Sequence, residues 1–243
     1  MTYVIVGAST GLGRVLAEKF ASENNDLIII SSDKRDLDVL GNDLQNRFKV
    51  KIFSVSMSFE KDLDFKEIDD IISKIKSIDG ILLPVGFSDH SDNPDIDENK
   101  IKTLFNINLI NVCIFINHFL EILRKSSSII TGFGSISSIR GRTRNSTYSS
   151  AKRGLESYFE SLRHSELNSK IIVQFYILGY LNTNLTFGET TVGFKPAKID
   201  DLATKIYDNR FNDFGKKTFP SYWKIVTMLL PSLPWSLFKK IKF

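Results

Sequence analysis

The chain is predicted to fold as an α/β protein, a mostly parallel sheet covered by helices on both faces in the doubly wound manner. Three observations predict it. Short apolar runs rich in Ile and Val, without polar alternation, recur along the chain, as expected of strands buried on both faces. Longer stretches with helical spacing separate them. A glycine-rich turn joins the first run to the first helical stretch, a strand-turn-helix opening suited to a nucleotide phosphate.

The strands are expected at Tyr3–Val6, Leu27–Ile30, Val50–Val55, Ile81–Val85, Ile129–Thr131 and Ile171–Ile177. The helices are expected at Leu12–Ser22, Lys34–Phe48, Glu60–Lys76, Glu98–Arg124 and Tyr148–Leu167. In the last of these, Leu155, Tyr158, Phe159 and Leu162 form a core-facing stripe. Residues 1–220 are read as one domain, 179–197 as a loop or lid over a substrate, and 221–243 as a basic amphipathic tail. No internal repeat and no low-complexity stretch is visible.

Bulk properties narrow the function. Hydrophobic residues make up 42% and charged residues 25% of the 243, ordinary for a globular protein with a full core. The net charge of +4 is too small and dispersed for nucleic-acid binding. Three histidines and a single cysteine, Cys113, provide no metal-ligand cluster and no intrachain disulfide. Cys113 sits in an apolar run and reads as a small buried hydrophobe. No signal peptide and no spanning apolar run is read, so a cytoplasmic location is expected.

The turn Gly7-Ala8-Ser9-Thr10-Gly11-Leu12-Gly13 names Gly7, Ser9, Thr10, Gly11, Leu12 and Gly13 as cofactor-binding candidates. Glycines let the backbone approach a ligand closely, and the helix N-terminus offers unpaired N–H groups and a positive dipole end. The second strand ends in Ser31-Ser32-Asp33-Lys34-Arg35. NAD binders of such folds place a carboxylate at this tip, and NADP binders a cation. Neutral Ser31 and Ser32, with Lys34 and Arg35 following, favour NADP (NADPH); Asp33 keeps NAD open. The plain reading of Lys34 and Arg35 is a solvated first turn.

Tyr148 and Lys152 lie four apart on the last helix, which puts both side chains on one face. A nearby ammonium favours the phenolate and lowers a tyrosine pKa from its usual ~10. Such a tyrosine can act as general acid or base near neutral pH. The plain alternative is a half-buried tyrosine beside a solvated lysine.

The spacing Gly-x3-Gly-x-Gly and the pair Tyr148-x3-Lys152 resemble the short-chain dehydrogenase/reductase family. Ser135, thirteen residues before the tyrosine, and Asn108, in Asn106-Ile107-Asn108-Leu109, fall at family positions in the same order. The resemblance runs from Tyr3 to about Thr183. It implies a single-domain Rossmann fold, a nicotinamide cofactor and hydride exchange with a carbonyl or alcohol. It also implies roles: Tyr148 as proton donor, Lys152 lowering its pKa and holding the nicotinamide ribose, Ser135 on the substrate oxygen, Asn108 ordering a water. Ser137 and Ser138 are alternatives to Ser135.

The chain departs from the family elsewhere. The Asn-Asn-Ala-Gly motif is Leu83-Pro84-Val85-Gly86, which keeps only Gly86. Ser56 stands in place of an aspartate, and Leu178-Gly179 in place of Pro-Gly. Thr183 matches the threonine that touches the nicotinamide end. The lost motifs leave a silent NADP-binding sensor or scaffold as an alternative. A nucleotide-sugar epimerase or dehydratase is disfavoured, because too few residues follow the sixth strand for its larger substrate lobe.

Two stretches bear on substrate and surroundings. Arg140, Arg142 and Arg144 follow the serines and read either as a solvated loop or as guanidinium groups for an anionic substrate. This loop is similar to the decaprenylphosphoryl-ketopentose reductase-like subgroup, which implies a lipid-linked sugar. From Phe214 to Phe243 there are six lysines and no acid, interleaved with Trp223, Met228, Leu229, Leu230, Trp235, Leu237 and Phe238. That mixture suits peripheral contact with the inner face of a membrane or packing over the pocket or a subunit interface. Pro231 and Pro234 exclude one straight helix. The expected partners are a small carbonyl or alcohol substrate and further copies of the chain in a homo-oligomer.

Overall fold

The computed structural model describes residues 1–182 and 196–241. Among them seven strands form one sheet in the order β3-β2-β1-β4-β5-β6-β7, every neighbouring pair parallel. They are β1 (Thr2–Val6), β2 (Asp26–Ser31), β3 (Ile52–Ser56), β4 (Gly80–Leu83), β5 (Ser128–Ser135), β6 (Ile171–Leu178) and β7 (Lys216–Phe219). The helices are α1 (Gly11–Ser22), α2 (Lys34–Phe48), α3 (Lys66–Ile72), α4 (Glu98–Phe105), α5 (Asn111–Leu123), α6 (Ser146–Ser165), α7 (Ile199–Asp208), α8 (Trp223–Leu229) and α9 (Trp235–Phe238).

The apolar runs are continuous because both faces of the sheet are covered. Side chains alternate along a strand, so Val4 and Val6 of β1 enter the core beneath α5 and α6. Tyr3 and Ile5 enter the opposite core with α1, α2 and α7. All four are buried. The strand order reverses between β1 and β4, and such a switch point opens a crevice at the carboxyl ends of the strands.

The structure corrects several expected boundaries. The helix expected at Glu60–Lys76 is only α3, Lys66–Ile72. β5 runs eight residues, to Ser135, well past Thr131; Gly132 and Gly134 hid its second half, although each glycine leaves room for a packed ring. A Cβ at Gly132 would lie 2.3 Å from the Phe159 ring of α6. β7 was not anticipated: its two lysines read as part of the basic tail, whereas lysines commonly mark an edge strand.

The stretch expected as one helix, Glu98–Arg124, is α4 and α5 joined by a π-helical turn, Asn106–Ile110. It is the one helix among the described residues long and apolar enough to cross a membrane by length and composition. Val112, Phe115, Ile116, Phe119 and Leu123 spend much of that apolarity on the core.

Candidate active site

A cleft of ≈ 330 Å³ lies at the switch point. The glycine turn forms its floor. Gly7 takes φ +81°, a left-handed conformation that suits glycine, and its N–H donates to Ile30 O at 2.8 Å. Gly13 lies so close beneath the turn that a Cβ there would fall 2.0 Å from Gly7 O. α1 begins at Gly11, and no side chain caps it. Ser9, Thr10, Gly11 and Leu12 line the cleft, so the N-terminal N–H groups of α1 border the space an anion would take. This cradle fits the pyrophosphate of a dinucleotide.

At the tip of β2, Ser31 and Ser32 line the cleft. Ser31 is buried, and its Oγ lies 2.7 Å from Ser9 Oγ. Asp33 caps α2, its Oδ1 accepting from Asp36 N at 3.0 Å. Lys34 and Arg35 stand on the exposed first turn of α2, outside the cleft lining. Arg35 pairs with Asp36 at 3.0 Å. Ser56, at the end of β3, is exposed, while Met57 and Ser58 behind it line the cleft.

The far end holds the tyrosine-lysine pair. Tyr148 and Lys152 both line the cleft, with Lys152 Nζ 6.0 Å from the Tyr148 ring centre. The lysine is buried. Its ammonium donates to Val85 O at 3.3 Å and Phe133 O at 3.2 Å. Burial pulls its pKa down to about 8, because desolvation disfavours the charged form. The plain reading of a solvated lysine does not hold.

Asn108 is fully buried in the π-helical turn. Its Nδ2 donates to Phe87 O at 2.8 Å and Leu104 O at 2.9 Å. Its Oδ1 accepts from Phe87 N at 3.2 Å. The side chain therefore ties the loop after β4 to the helix. Gly86 sits between the site residues: a Cβ there would lie 3.2 Å from Asn108 Oδ1 and 3.3 Å from Lys152 Nζ.

Ser135 ends β5, beside the cleft-lining Phe133 and Gly134, but is not itself in the lining. Its Oγ accepts from Ser137 N at 3.2 Å and from Ser137 Oγ at 2.9 Å. Ser138 Oγ donates to Ser135 O at 2.6 Å. Ser137 and Ser138 are buried and turn their protons inward, onto Ser135. Thr183 lies outside the described residues.

Two features escaped the sequence reading. Asp92, almost fully buried, accepts from Ser146 Oγ at 3.2 Å, Thr147 N at 2.9 Å and Tyr148 N at 2.8 Å. It satisfies the first turn of α6 from a distant loop, and only the polar run Ser91-Asp92-Asn93 hinted at it. Arg140 lies over the Phe238 ring at 4.0 Å, and its Nη1 donates to Leu230 O at 2.9 Å and to Leu233 O. Its guanidinium thus holds the tail.

The profile of the short chain dehydrogenase family matches residues 1–191. The chain belongs to that family of oxidoreductases. It is 31% identical over 189 residues to the very-long-chain 3-oxoacyl-CoA reductase of Neurospora crassa, covering 74% of this chain and 55% of the other. The mouse protein of the same name is 27% identical over 190 residues, covering 73% and 58%. The chain thus spans little more than half the length of these relatives. The 3-oxoacyl-[acyl-carrier-protein] reductase FabG of Rickettsia typhi is 23% identical over 186 residues, covering 76% and 74%. A short-chain dehydrogenase from Sphingobium yanoikuyae in complex with NADPH superposes with a TM-score of 0.83 at 19% identity, over 99% of this chain and 96% of that one. One from Burkholderia phymatum in complex with NAD gives 0.84 at 16%, over 94% and 92%. These two share the fold.

Proposed function

We propose that the chain interconverts a carbonyl and an alcohol with a nicotinamide cofactor, working as an NADPH-dependent reductase of a keto group. The observation that carries this reading is that Tyr148 and buried Lys152 share one cleft with the glycine turn at the start of α1. The turn and the α1 N-terminus would hold the pyrophosphate, Ser31 and Ser32 the adenine ribose, and Lys152 the nicotinamide ribose. When bound, the cofactor supplies the hydride.

Tyr148 then donates its proton to the reduced oxygen, and Lys152 keeps the resulting phenolate stable. Ser135, whose own proton is not used in its contacts with Ser137, donates to the substrate oxygen. Asn108 holds the Gly86–Phe87 loop against the lysine. NADP is preferred because the β2 tip is neutral and Asp33 is occupied as the α2 cap.

Relatives whose names specify 3-oxoacyl thioesters place such keto groups first among substrates to test, with phosphorylated or lipid-linked keto sugars second. The decisive assay is NADPH oxidation over that panel with the parent chain and Tyr148→Phe. The expected outcome is turnover by the parent and loss of at least ~100-fold in the variant, with NADPH fluorescence titration unchanged. Full activity in Tyr148→Phe overturns the mechanism. NADPH binding with no turnover on any carbonyl supports a silent sensor instead.

A further inference from the structure

The tail beyond β7 is built in two layers. Its inner layer is anchored. Trp223 is buried and packs on Gly179, where a Cβ would lie 2.3 Å from the indole; its ring centre is 5.6 Å from that of Tyr180. Phe238 is buried beneath the Arg140 guanidinium. Arg140 also fixes the Leu230 and Leu233 carbonyls between α8 and α9.

The outer layer is apolar and exposed. Ile225, Met228 and Leu229 stand at i, i+3 and i+4 of α8 and form one stripe. They are 62%, 67% and 59% exposed, Trp235 is 67% and Leu237 is 52%. Such exposure, concentrated in one short segment, marks an interaction surface. Lys224, Lys239 and Lys240 are exposed around it. The segment Phe214–Phe243 has six lysines and no acid in a chain whose net charge is +4, so the whole positive excess resides there.

We propose that the outer face of α8 and α9 docks on the surface of an anionic lipid bilayer. Apolar side chains and a tryptophan at the water boundary, ringed by lysines, match an acyl region topped by negative headgroups. Nucleic acid matches less well: the segment contains no arginine, the cation best suited to phosphate recognition, and its stripe of Ile, Met and Leu has no base-stacking use. The anchor at Gly179 and Tyr180 sits next to Leu178 and Leu181, which line the cleft. Docking therefore sets the mouth of the cleft beside the lipid surface. The docking surface stands independently of the reductase reading.

The test is vesicle co-sedimentation of the full chain with phosphatidylcholine alone and with added phosphatidylserine. Three variants accompany it: Ile225→Ser/Met228→Ser/Leu229→Ser, Lys239→Gln/Lys240→Gln, and Trp235→Phe. All these positions are exposed, and far-ultraviolet circular dichroism with thermal melting checks that each variant folds. The parent binds the anionic vesicles, with a blue shift in tryptophan emission that Trp235→Phe abolishes. The lysine pair lowers partitioning roughly tenfold, and the triple serine variant lowers it at least as much. Binding equal between parent and triple variant overturns the proposal. So does no binding by the parent, or a parent self-association that the triple variant abolishes while neither sediments with vesicles.

Discussion

The carboxylate of Asp92 accepts the backbone N–H of Tyr148 at 2.8 Å. A loop residue thus holds the turn of α6 that carries the proposed proton donor. α6 has no side-chain cap of its own at Asn145, and a buried carboxylate at a helix N-terminus is favoured by the unpaired N–H groups and the dipole. Asp92→Ala should destabilise the fold by ~1–2 kcal/mol, read by thermal denaturation. It should also lower kcat more than it raises KM. Asp92→Asn, which keeps one acceptor, should recover part of both.

Lys152 gives a pH signature. In an unfolded chain its ammonium persists to pH ~10.4, whereas in the fold it deprotonates at about 8. Between these values the unfolded state binds the extra proton, so this group makes stability rise as pH rises. The penalty is fully present below about pH 8 and vanishes above pH ~10.4. Denaturant titrations of the parent and Lys152→Met from pH 7 to 10.5 should show the parent gaining on the variant across that window. A constant difference counts against a buried ammonium.

Gly13 tolerates no side chain. A Cβ 2.0 Å from Gly7 O meets backbone, which cannot swing away. Gly13→Ala should raise the Kd for NADPH at least ~tenfold by spreading the turn, with a stability loss of ~1–3 kcal/mol. Fluorescence titration and thermal melting measure the two effects.

Cofactor choice should turn on the β2 tip. Ser32 is exposed and lines the cleft, so a carboxylate there would face the proposed ribose position without burial. Ser32→Asp should lower kcat/KM for NADPH by ~tenfold or more through repulsion of the 2′-phosphate and raise it for NADH. The ratio of the two constants reports the switch.

Glu166 is buried and accepts two bonds from the half-exposed Arg124, at 3.1 and 2.5 Å. The hydrogen bonds from Arg124 hold its carboxyl below the usual range. Its contribution is complete above the unfolded pKa of ~4.3 and is lost as pH falls through the lower folded value. Arg124→Ala should cost ~1 kcal/mol at pH 7, the exposed guanidinium being screened. The gap should close in acid, as urea midpoints at pH 7 and pH 3 will show.

What could be read in advance followed from local chemistry. The Val- and Ile-rich runs announce strands buried on both faces, and the Gly7–Gly13 turn needs its spacing alone. Tyr148 and Lys152 meet because helical periodicity brings them together. Contacts between distant segments leave no such trace. Asp92 reaches α6 across more than fifty residues. Arg140 binds Phe238 and the tail carbonyls, ninety or more residues away in the chain. The burial that depresses the Lys152 pKa comes from the walls around it. β7 was hidden because an edge strand with Lys216 and Lys217 lacks the apolar run by which central strands are recognised.

The π-helical turn at Asn106–Ile110 is a matter of phase. From Leu104 through Asn108, Val112, Phe115, Phe119 and Leu123, all buried, the inward positions recur about every 3.8 residues, against 3.6 for an α-helix. Over such a length an unbroken α-helix would fall behind the pattern by about one residue, roughly 100° of rotation, and would carry the later phenylalanines off the sheet. The wide turn takes up that lag at one point, the point where Asn108 grips the loop of Gly86. Removing one residue from that turn would return the spacing to the 3.6 of an unbroken α-helix and keep the core in register, but it would cost the wide turn from which Asn108 grips the loop beside the proposed catalytic lysine.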